Sequence, residues 1–375
     1  MLETNMRCSQ GDFKLQRFPV VANEKLRAWD AADEYLLEDI ASKLVAYSQP
    51  KILIINDSFG ALAVALAAFK PDVVSDSFIA HSAINENLAL NKQEPAVLLS
   101  SLQIPEKTFD IILIKAPKTL AFLEDSLARI QPCLTANTQV ILAGMVKNMS
   151  PAVWQLLEKY IGTTIPSKAV KKARLIYATV DSQRDTPVNP FPSYYTLENT
   201  EYKICNHANV FSRQKLDIGT RFFLEHLPIS TKYQQVVDLG CGNGVVGVVF
   251  AGKNPDAELH FIDESFMAVA SAEDNFKHAF ADRSATFEVN DALSSVANNS
   301  MDLVLCNPPF HEQNVIGGHI ALRMFKQAKQ VLRAEGELWV IGNRHLGYHA
   351  ILKRLFPTVQ LIATNNKFVI LKAMP

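Results

Sequence analysis

The run "VVDLGCGNGVVG", residues 236–247, decides how this chain is read. A β-branched, apolar strand runs into a glycine-rich turn, and the turn runs into an apolar helix. Units of this kind build a parallel sheet with helices on its faces, and a ligand then lies beyond the carboxyl ends of the strands. The spacing Gly242-x-Gly244-x-x-Gly247 also fits a dinucleotide site, which alone is a weak signal.

Working outward, the same alternation continues to the end of the chain. "AELHFIDES" reads as a strand and "FMAVASAEDNFKHAF" as a helix. "SATFEVNDA" and "MDLVLCNPPF" read as strands, and "IALRMFKQAKQVLRAEG" as a helix closed by Gly336. "ELWVIGN", another helix and two final strands follow, the last of them joined by a short turn and therefore antiparallel. Upstream, "SYYTLENTEYKICNHA" predicts a hairpin and "GTRFFLEHL" a short helix.

Residues 50–180 repeat this plan. "PKILIINDSFGALAVALAAF", "DVVSDSFIAHSAINENLAL", "FDIILIKAPKTL", "TQVILAGMVKNMSPAVWQLLEKYIG" and "ARLIYATV" match five segments of the second half in the same order. Asp110 answers to Asp302 and Lys115 to Asn307, both at an offset of 192. Five ordered matches argue for an internal duplication. The expected architecture is α/β, with two tandem Rossmann-like domains. Residues 1–180 form a degenerate copy, 181–192 a polar, proline-bearing linker, and 193–375 the active copy. Where the second copy has Asp238, Gly240, Gly242 and Gly244, the first reads Asn56, Ser58, Gly60 and Leu62.

With 375 residues, 48% of them hydrophobic, the chain is long enough for two cores. Residues 1–180 carry 19 Lys+Arg and 18 Asp+Glu, and the rest 18 and 20, so any nucleic-acid contact must come from local patches. The cysteines Cys8, Cys133, Cys205, Cys241 and Cys306 form no CxxC pair and no zinc spacing, which predicts reduced thiols and no metal. "MLETNMRCSQGDF" lacks an apolar signal core, and the longest apolar run, "ALAVALAAF", is too short for a membrane span. The expectation is a cytoplasmic, membrane-free monomer.

The polar strand ends indicate the ligand. Asp238 beneath the loop would repel a pyrophosphate and attract a cationic amino-acid group. Asp263, 25 residues on, can grip two ribose hydroxyls, and Asn290-Asp291 falls where an adenine edge would lie. One ligand combines these parts: S-adenosylmethionine. The fourth strand ends in Asn307-Pro308-Pro309-Phe310. A planar amine is a poor nucleophile because its lone pair is delocalised. The Asn307 side-chain oxygen and the Pro308 carbonyl can accept its two hydrogens and turn the lone pair toward a methyl donor. The prolines stiffen the turn, and Phe310 offers a face for stacking.

DLGCGNG, the acidic end of the second strand and NPPF together resemble class I methyltransferases acting on exocyclic or amide nitrogens. "LQRFP", "AADEYLL", "NHANVFSRQKLDIGTRFF", "CNPPFH" and "ATNNKFV" extend the likeness along nearly the whole chain. They resemble the RsmC/RlmG family of ribosomal RNA guanine-N2 methyltransferases, and its large-subunit branch in particular. The resemblance implies S-adenosylmethionine as cofactor, large-subunit rRNA as partner and N2-methylguanine as product. It implies cofactor contacts at Phe211 and Ser212, at Asp238, Gly240, Cys241, Gly242, Asn243 and Gly244, at Asp263 and Glu264, at Asn290, Asp291 and Ala292, and at Asn307.

Lys168, Lys171, Lys172 and Arg174, with Lys115 and Lys118, are candidates for RNA phosphates. Arg323, Lys326, Lys329 and Arg333 read as a solvated helix face. The motifs also admit a small-subunit rRNA guanine-N2, a protein glutamine N5 or a DNA adenine N6 methyltransferase. A non-catalytic rRNA assembly factor is disfavoured by the intact second loop, and a nicotinamide dehydrogenase by Asp238.

Overall fold

The computed structural model describes residues 3–21, 24–309 and 315–375. The chain divides between Phe191 and Pro192 into two units.

The first unit opens with a hairpin, β1 (Asn5–Cys8) and β2 (Gly11–Lys14), followed by helix α1 (Ala31–Leu44). Its sheet holds β3 (Ile52–Ile55), β4 (Asp72–Ser75), β5 (Val97–Ser100), β6 (Ile111–Lys115), β7 (Gln139–Met145), β8 (Thr164–Pro166) and β9 (Ala173–Thr179). Helices α2 (Ala61–Ala65), α3 (Phe78–Leu90), α4 (Leu120–Arg129) and α5 (Pro151–Tyr160) connect them, and the strand order is β5-β4-β3-β6-β7-β9-β8.

The second unit repeats every step. Hairpin β10 (Ser193–Thr196) and β11 (Lys203–Asn206) leads to α6 (Ile218–Glu225). The sheet holds β12 (Gln235–Leu239), β13 (Glu258–Asp263), β14 (Thr286–Val289), β15 (Met301–Cys306), β16 (Leu332–Asn343), β17 (Thr358–Thr364) and β18 (Phe368–Met374). Its helices are α7 (Val245–Lys253), α8 (Phe266–Ala279), α9 (Val315–Val331) and α10 (Tyr348–Leu355), and the order is β14-β13-β12-β15-β16-β18-β17. β18 is antiparallel to both its neighbours, and β9 likewise in the first unit. Strands β3 and β6 are buried on both faces, hence their unbroken apolar runs.

The expected tandem architecture is therefore present, and the repeat reaches further than the sequence showed. The β1–β2 hairpin and α1 are counterparts of the β10–β11 hairpin and α6. "NMRCSQGDFK" and "SYYTLENTEYKICN" share a strand-turn-strand layout but almost no letters, so the match was hidden.

Register also corrects the matching of the two loops. Leu239 pairs with Ile262 and Cys306, while Ile55 pairs with Val74 and Ile114. Ile54 therefore stands at the place of Asp238, and Asn56 at that of Gly240. The backbone agrees, since φ is +67° at Asn56 and +68° at Gly240. Letter matching had slipped by two residues. The matching of Asp110 with Asp302 stands: each carboxylate accepts a backbone N–H at 2.8 Å from the start of the first parallel strand, Lys51 in one unit and Gln235 in the other.

Gly336 does not close a helix. α9 ends at Val331, and Leu332 already pairs with Met301 in the sheet. Gly336 lies inside β16, where an added Cβ would stand 3.0 Å from the Met301 carbonyl oxygen. The glycine thus serves close strand packing rather than helix termination.

Candidate active site

The site begins with one row of the second sheet. Because Leu239, Ile262 and Cys306 are in register, the next residues on their strands, Gly240, Asp263 and Asn307, emerge side by side at the carboxyl edge. The first unit presents Asn56, Ser75 and Lys115 in that row.

The glycine loop is held from below. Gly244 caps α7 at φ +74°, and a Cβ there would stand 2.7 Å from that of Ala272. Among the described residues, an added Cβ on Gly242 would meet nothing within 4 Å, so these residues leave the loop open on that side. Asn243 is turned inward: its Nδ2 donates to Asn206 Oδ1 at 2.8 Å, and Asn275 Nδ2 donates to its carbonyl at 2.8 Å. Asn275 also donates to the Cys205 carbonyl. Three buried asparagines thus pin the loop to β11, and the side chain of Asn243 serves this role instead of facing a ligand. Cys241 is buried, and burial pushes its thiol well up.

Asp238 is buried in β12, and its Oδ2 accepts the Gly247 N–H at 2.8 Å. Burial, with Asp263 nearby, raises its carboxyl to about 7. Among the described residues no cationic side chain bridges to it. A buried carboxylate of this kind calls for a cation, and the open side at Gly242 leaves room for one to arrive on a ligand. Asp263 accepts from Gly242 N at 2.9 Å and Ser265 N at 3.0 Å, which fixes its carboxylate at the loop. These residues fit a ligand with an ammonium group and a diol. Glu264 is exposed beside it.

The third strand end is more occupied than expected. Asn290 Oδ1 accepts from Asp291 N and Ser294 Oγ, and its Nδ2 donates to Glu288. Asp291 is paired with Arg323, whose Nη1 donates to Oδ2 at 2.8 Å. Arg323 is thus a partner of the site rather than part of a solvated face. Ala292 follows at φ +49°. Phe211 is exposed, and Ser212, at φ +53°, donates to the Lys215 carbonyl.

Asn307 leaves β15 half-buried. Its Nδ2 donates to Thr220 Oγ1 at 3.0 Å, while its Oδ1 is buried with no hydrogen-bond partner among the described residues. Pro308 is buried and Pro309 exposed. The expectation for Phe310 lies outside the described residues.

In the first unit the same edge is closed. Asp57 turns its carboxylate into the α2 N-terminus and accepts from four backbone N–H groups, those of Gly60, Ala61, Leu62 and Ala63. Lys115, expected to meet RNA phosphate, is only 14% exposed and bridges Asp33 at 2.6 Å and Asp30 at 2.9 Å. Burial pushes Asp33 up to about 6 even against Lys115, whereas the two aspartates outweigh burial and hold Lys115 above its usual range. Lys115 is spent between these two aspartates. Lys118, Lys168, Lys171 and Lys172 are exposed, although Lys171 bridges Glu34 at 2.9 Å, and Arg174 is half-buried. Lys147, exposed after β7, adds to the group.

A model described as the RLMG N-terminal domain matches residues 3–182, and one described as the methyltransferase small domain matches residues 201–372. The ribosomal RNA large subunit methyltransferase G of Pseudomonas aeruginosa (strain UCBPP-PA14) is 49% identical over 362 residues, 96% of each chain. The chain belongs to the ribosomal RNA large subunit methyltransferase G family. Its counterpart from Streptomyces coelicolor is 46% identical over 371 residues, 97% of this chain and 98% of that one. Among solved structures, the T. thermophilus 16S rRNA N2 G1207 methyltransferase (RsmC), in complex with AdoMet and guanosine, aligns with a TM-score of 0.77 at 19% identity, over 99% of this chain and 97% of that one. That likeness shows a shared fold. With family membership the chain is a methyltransferase, and S-adenosylmethionine is its methyl donor.

Sequence reasoning missed Asp57, Asn206, Thr220, Asn275 and the Arg323 pairing. Asp57 sat inside the recognised segment, but the two-residue slip hid its place opposite Cys241. It also missed the grouping of Cys205, His207 and Asp274, whose ligand atoms lie within 4.8 Å of one another. The aspartate comes from α8, so no local spacing announces that group.

Two outcomes follow from the charges. Replacing Lys115 by Ala strands Asp30 and Asp33 and should cost about 3 kcal/mol in urea denaturation, near the low end for a broken buried pair because Asp33 can take up a proton. An unchanged midpoint would show that the pair is not buried as described. Cofactor affinity should rise as pH climbs from 5.5 to 7, by up to about tenfold per unit, and then level off, because an ammonium ligand binds the ionised form of Asp238. In Asp238→Asn this slope should vanish and binding should weaken. Calorimetry finding the wild-type affinity flat over that range would contradict the role of Asp238.

Proposed function

We propose that this chain transfers a methyl group from S-adenosylmethionine to the exocyclic N2 amine of a guanine in large-subunit ribosomal RNA. The observation that carries the reading is the Asn307 side chain: its donor end is tied to Thr220, and its acceptor end is buried with no hydrogen-bond partner among the described residues. An amide held this way presents an oxygen to an N–H donor. Buried acceptors that lack a donor are costly, so one that persists at a strand edge marks where a ligand N–H belongs. The family supplies the RNA, since its named relatives are ribosomal RNA large subunit methyltransferases.

The cofactor supplies an electrophilic methyl group. Asp238 would hold its ammonium, Asp263 its pair of hydroxyls, and residues 290–292 would border its adenine. The Asn307 Oδ1 and the Pro308 carbonyl accept the hydrogens of the target amine and set its lone pair toward the methyl group. The amine sheds its extra proton to solvent after transfer, so no strong base is required. Positioning of this kind is worth up to roughly 7–11 kcal/mol in favourable cases.

The first unit serves RNA holding without cofactor. Its loop is plugged by Asp57, and Lys118, Lys147, Lys168, Lys171, Lys172 and Arg174 supply the positive charge near its strand ends. The protein works as a cytoplasmic monomer; among the described residues no helix is long and apolar enough to cross a membrane. Protein glutamine or DNA adenine would suit the Asn307 geometry equally well, and the family disfavours both.

Asn307→Ala should slow single-turnover methylation of large-subunit rRNA about 10–100-fold, with cofactor affinity within about twofold of wild type. Methylation at the wild-type rate would remove Asn307 from the chemistry, and a product other than N2-methylguanine would refute the substrate.

A further inference from the structure

We infer that Thr220 is a positioning residue for methyl transfer, and that it sets which end of the Asn307 amide faces the target amine. The inference rests on the role proposed above for Asn307.

An asparagine amide can be held either way round, and only one orientation can accept from an amine. The orientation here is dictated by a short chain of hydrogen bonds that starts at a carboxylate. Asp217 is the N-cap of α6, and its Oδ2 accepts the Thr220 N–H at 2.9 Å. The same oxygen lies 3.4 Å from Thr220 Oγ1. A carboxylate only accepts, so the Thr220 hydroxyl hydrogen points to Asp217. The hydroxyl lone pairs are then left to accept from Asn307, and Nδ2 donates to them at 3.0 Å. Oδ1 is thereby turned away, buried and without a partner among the described residues. Donation at one end of an amide also polarises its carbonyl, which makes the free oxygen a stronger acceptor.

The approach of α6 is fixed as well. Gly219 sits against β18, where an added Cβ would stand 2.9 Å from Phe368 Cε1. The helix start therefore lies close to the sheet, and Thr220 cannot drift from Asn307 without unpacking that contact.

The first unit supplies an internal comparison. Asp30 is the N-cap of α1 as Asp217 is of α6, and Asp33 stands three residues on, as Thr220 does. Lys115 occupies the place of Asn307 and donates to Asp33 at 2.6 Å. In both units the third helical residue is thus the acceptor for the side chain that follows the fourth strand. The contact belongs to the fold. Only in the second unit does it leave an acceptor uncommitted among the described residues, because lysine has no acceptor to offer.

The test is a set of variants assayed by single-turnover methylation of large-subunit rRNA, with cofactor and RNA affinities measured alongside. Thr220→Val and Thr220→Ala should each lower the rate constant about tenfold or more, with both affinities within about twofold. Thr220→Ser, which keeps the hydroxyl, should return to within about threefold of wild type. Thr220→Val combined with Asn307→Ala should be no slower than Asn307→Ala alone, because Thr220 acts through Asn307. Wild-type rates in both Thr220→Val and Thr220→Ala, or a double variant slowed by the product of the two single effects, would overturn the inference. If Asn307→Ala itself ran at the wild-type rate, the reading of the site beneath it would fall instead.

Discussion

The parallel register of β12 with β13 and β15 is the constraint on which the rest of this protein depends. It sets Leu239 level with Ile262 and Cys306, and so brings Gly240, Asp263 and Asn307 out of the sheet together. One residue of slip would turn the Asp263 and Asn307 side chains to the other face. Packing holds that register: Val236, Leu259, Phe261, Leu303 and Leu305 are buried in one core, and Val237, Leu239, Ile262, Val304 and Cys306 in the other. The candidate site thus rides on a row whose position is set by hydrophobic packing several residues away.

The two units show what the same row becomes under different local choices. Where the second presents Gly240, Asp263 and Asn307, the first presents Asn56, Ser75 and Lys115. The backbone at Asn56 keeps the left-handed turn of Gly240, so the loop shape survives without its glycine. Asp57 places a built-in carboxylate at the helix start, and Lys115 is neutralised by Asp30 and Asp33. Each change replaces a group that could meet a ligand with one satisfied inside the protein. The fold is retained because those internal partners bring their own hydrogen bonds and ion pairs.

The doubled architecture, the glycine loop and the strand-end carboxylates were legible in the sequence because they are local. A strand entering a glycine turn and then a helix announces a ligand site from a dozen neighbouring residues, and the offset of 192 residues survived at Asp110 and Asp302 because both cap the same strand start. What the sequence hid was set by long-range contact. Thr220 meets Asn307 from 87 residues away, Arg323 meets Asp291 across 32, and Lys115 meets Asp30 across 85. Lys115 in particular looked like a free cation beside a cluster of others. Nothing near it in the chain indicates that α1 delivers two aspartates to it.

The central claim is that one edge is open to a cofactor and the other is closed by its own side chains. The most direct measurement is calorimetric titration of the full chain with S-adenosylmethionine. The account predicts one site per chain, lost on Asp263→Ala in the second unit. Two sites per chain would mean that the Asp57-plugged loop of the first unit also accepts cofactor, and a single site that survives Asp263→Ala would place the cofactor elsewhere. Either result would contradict the account.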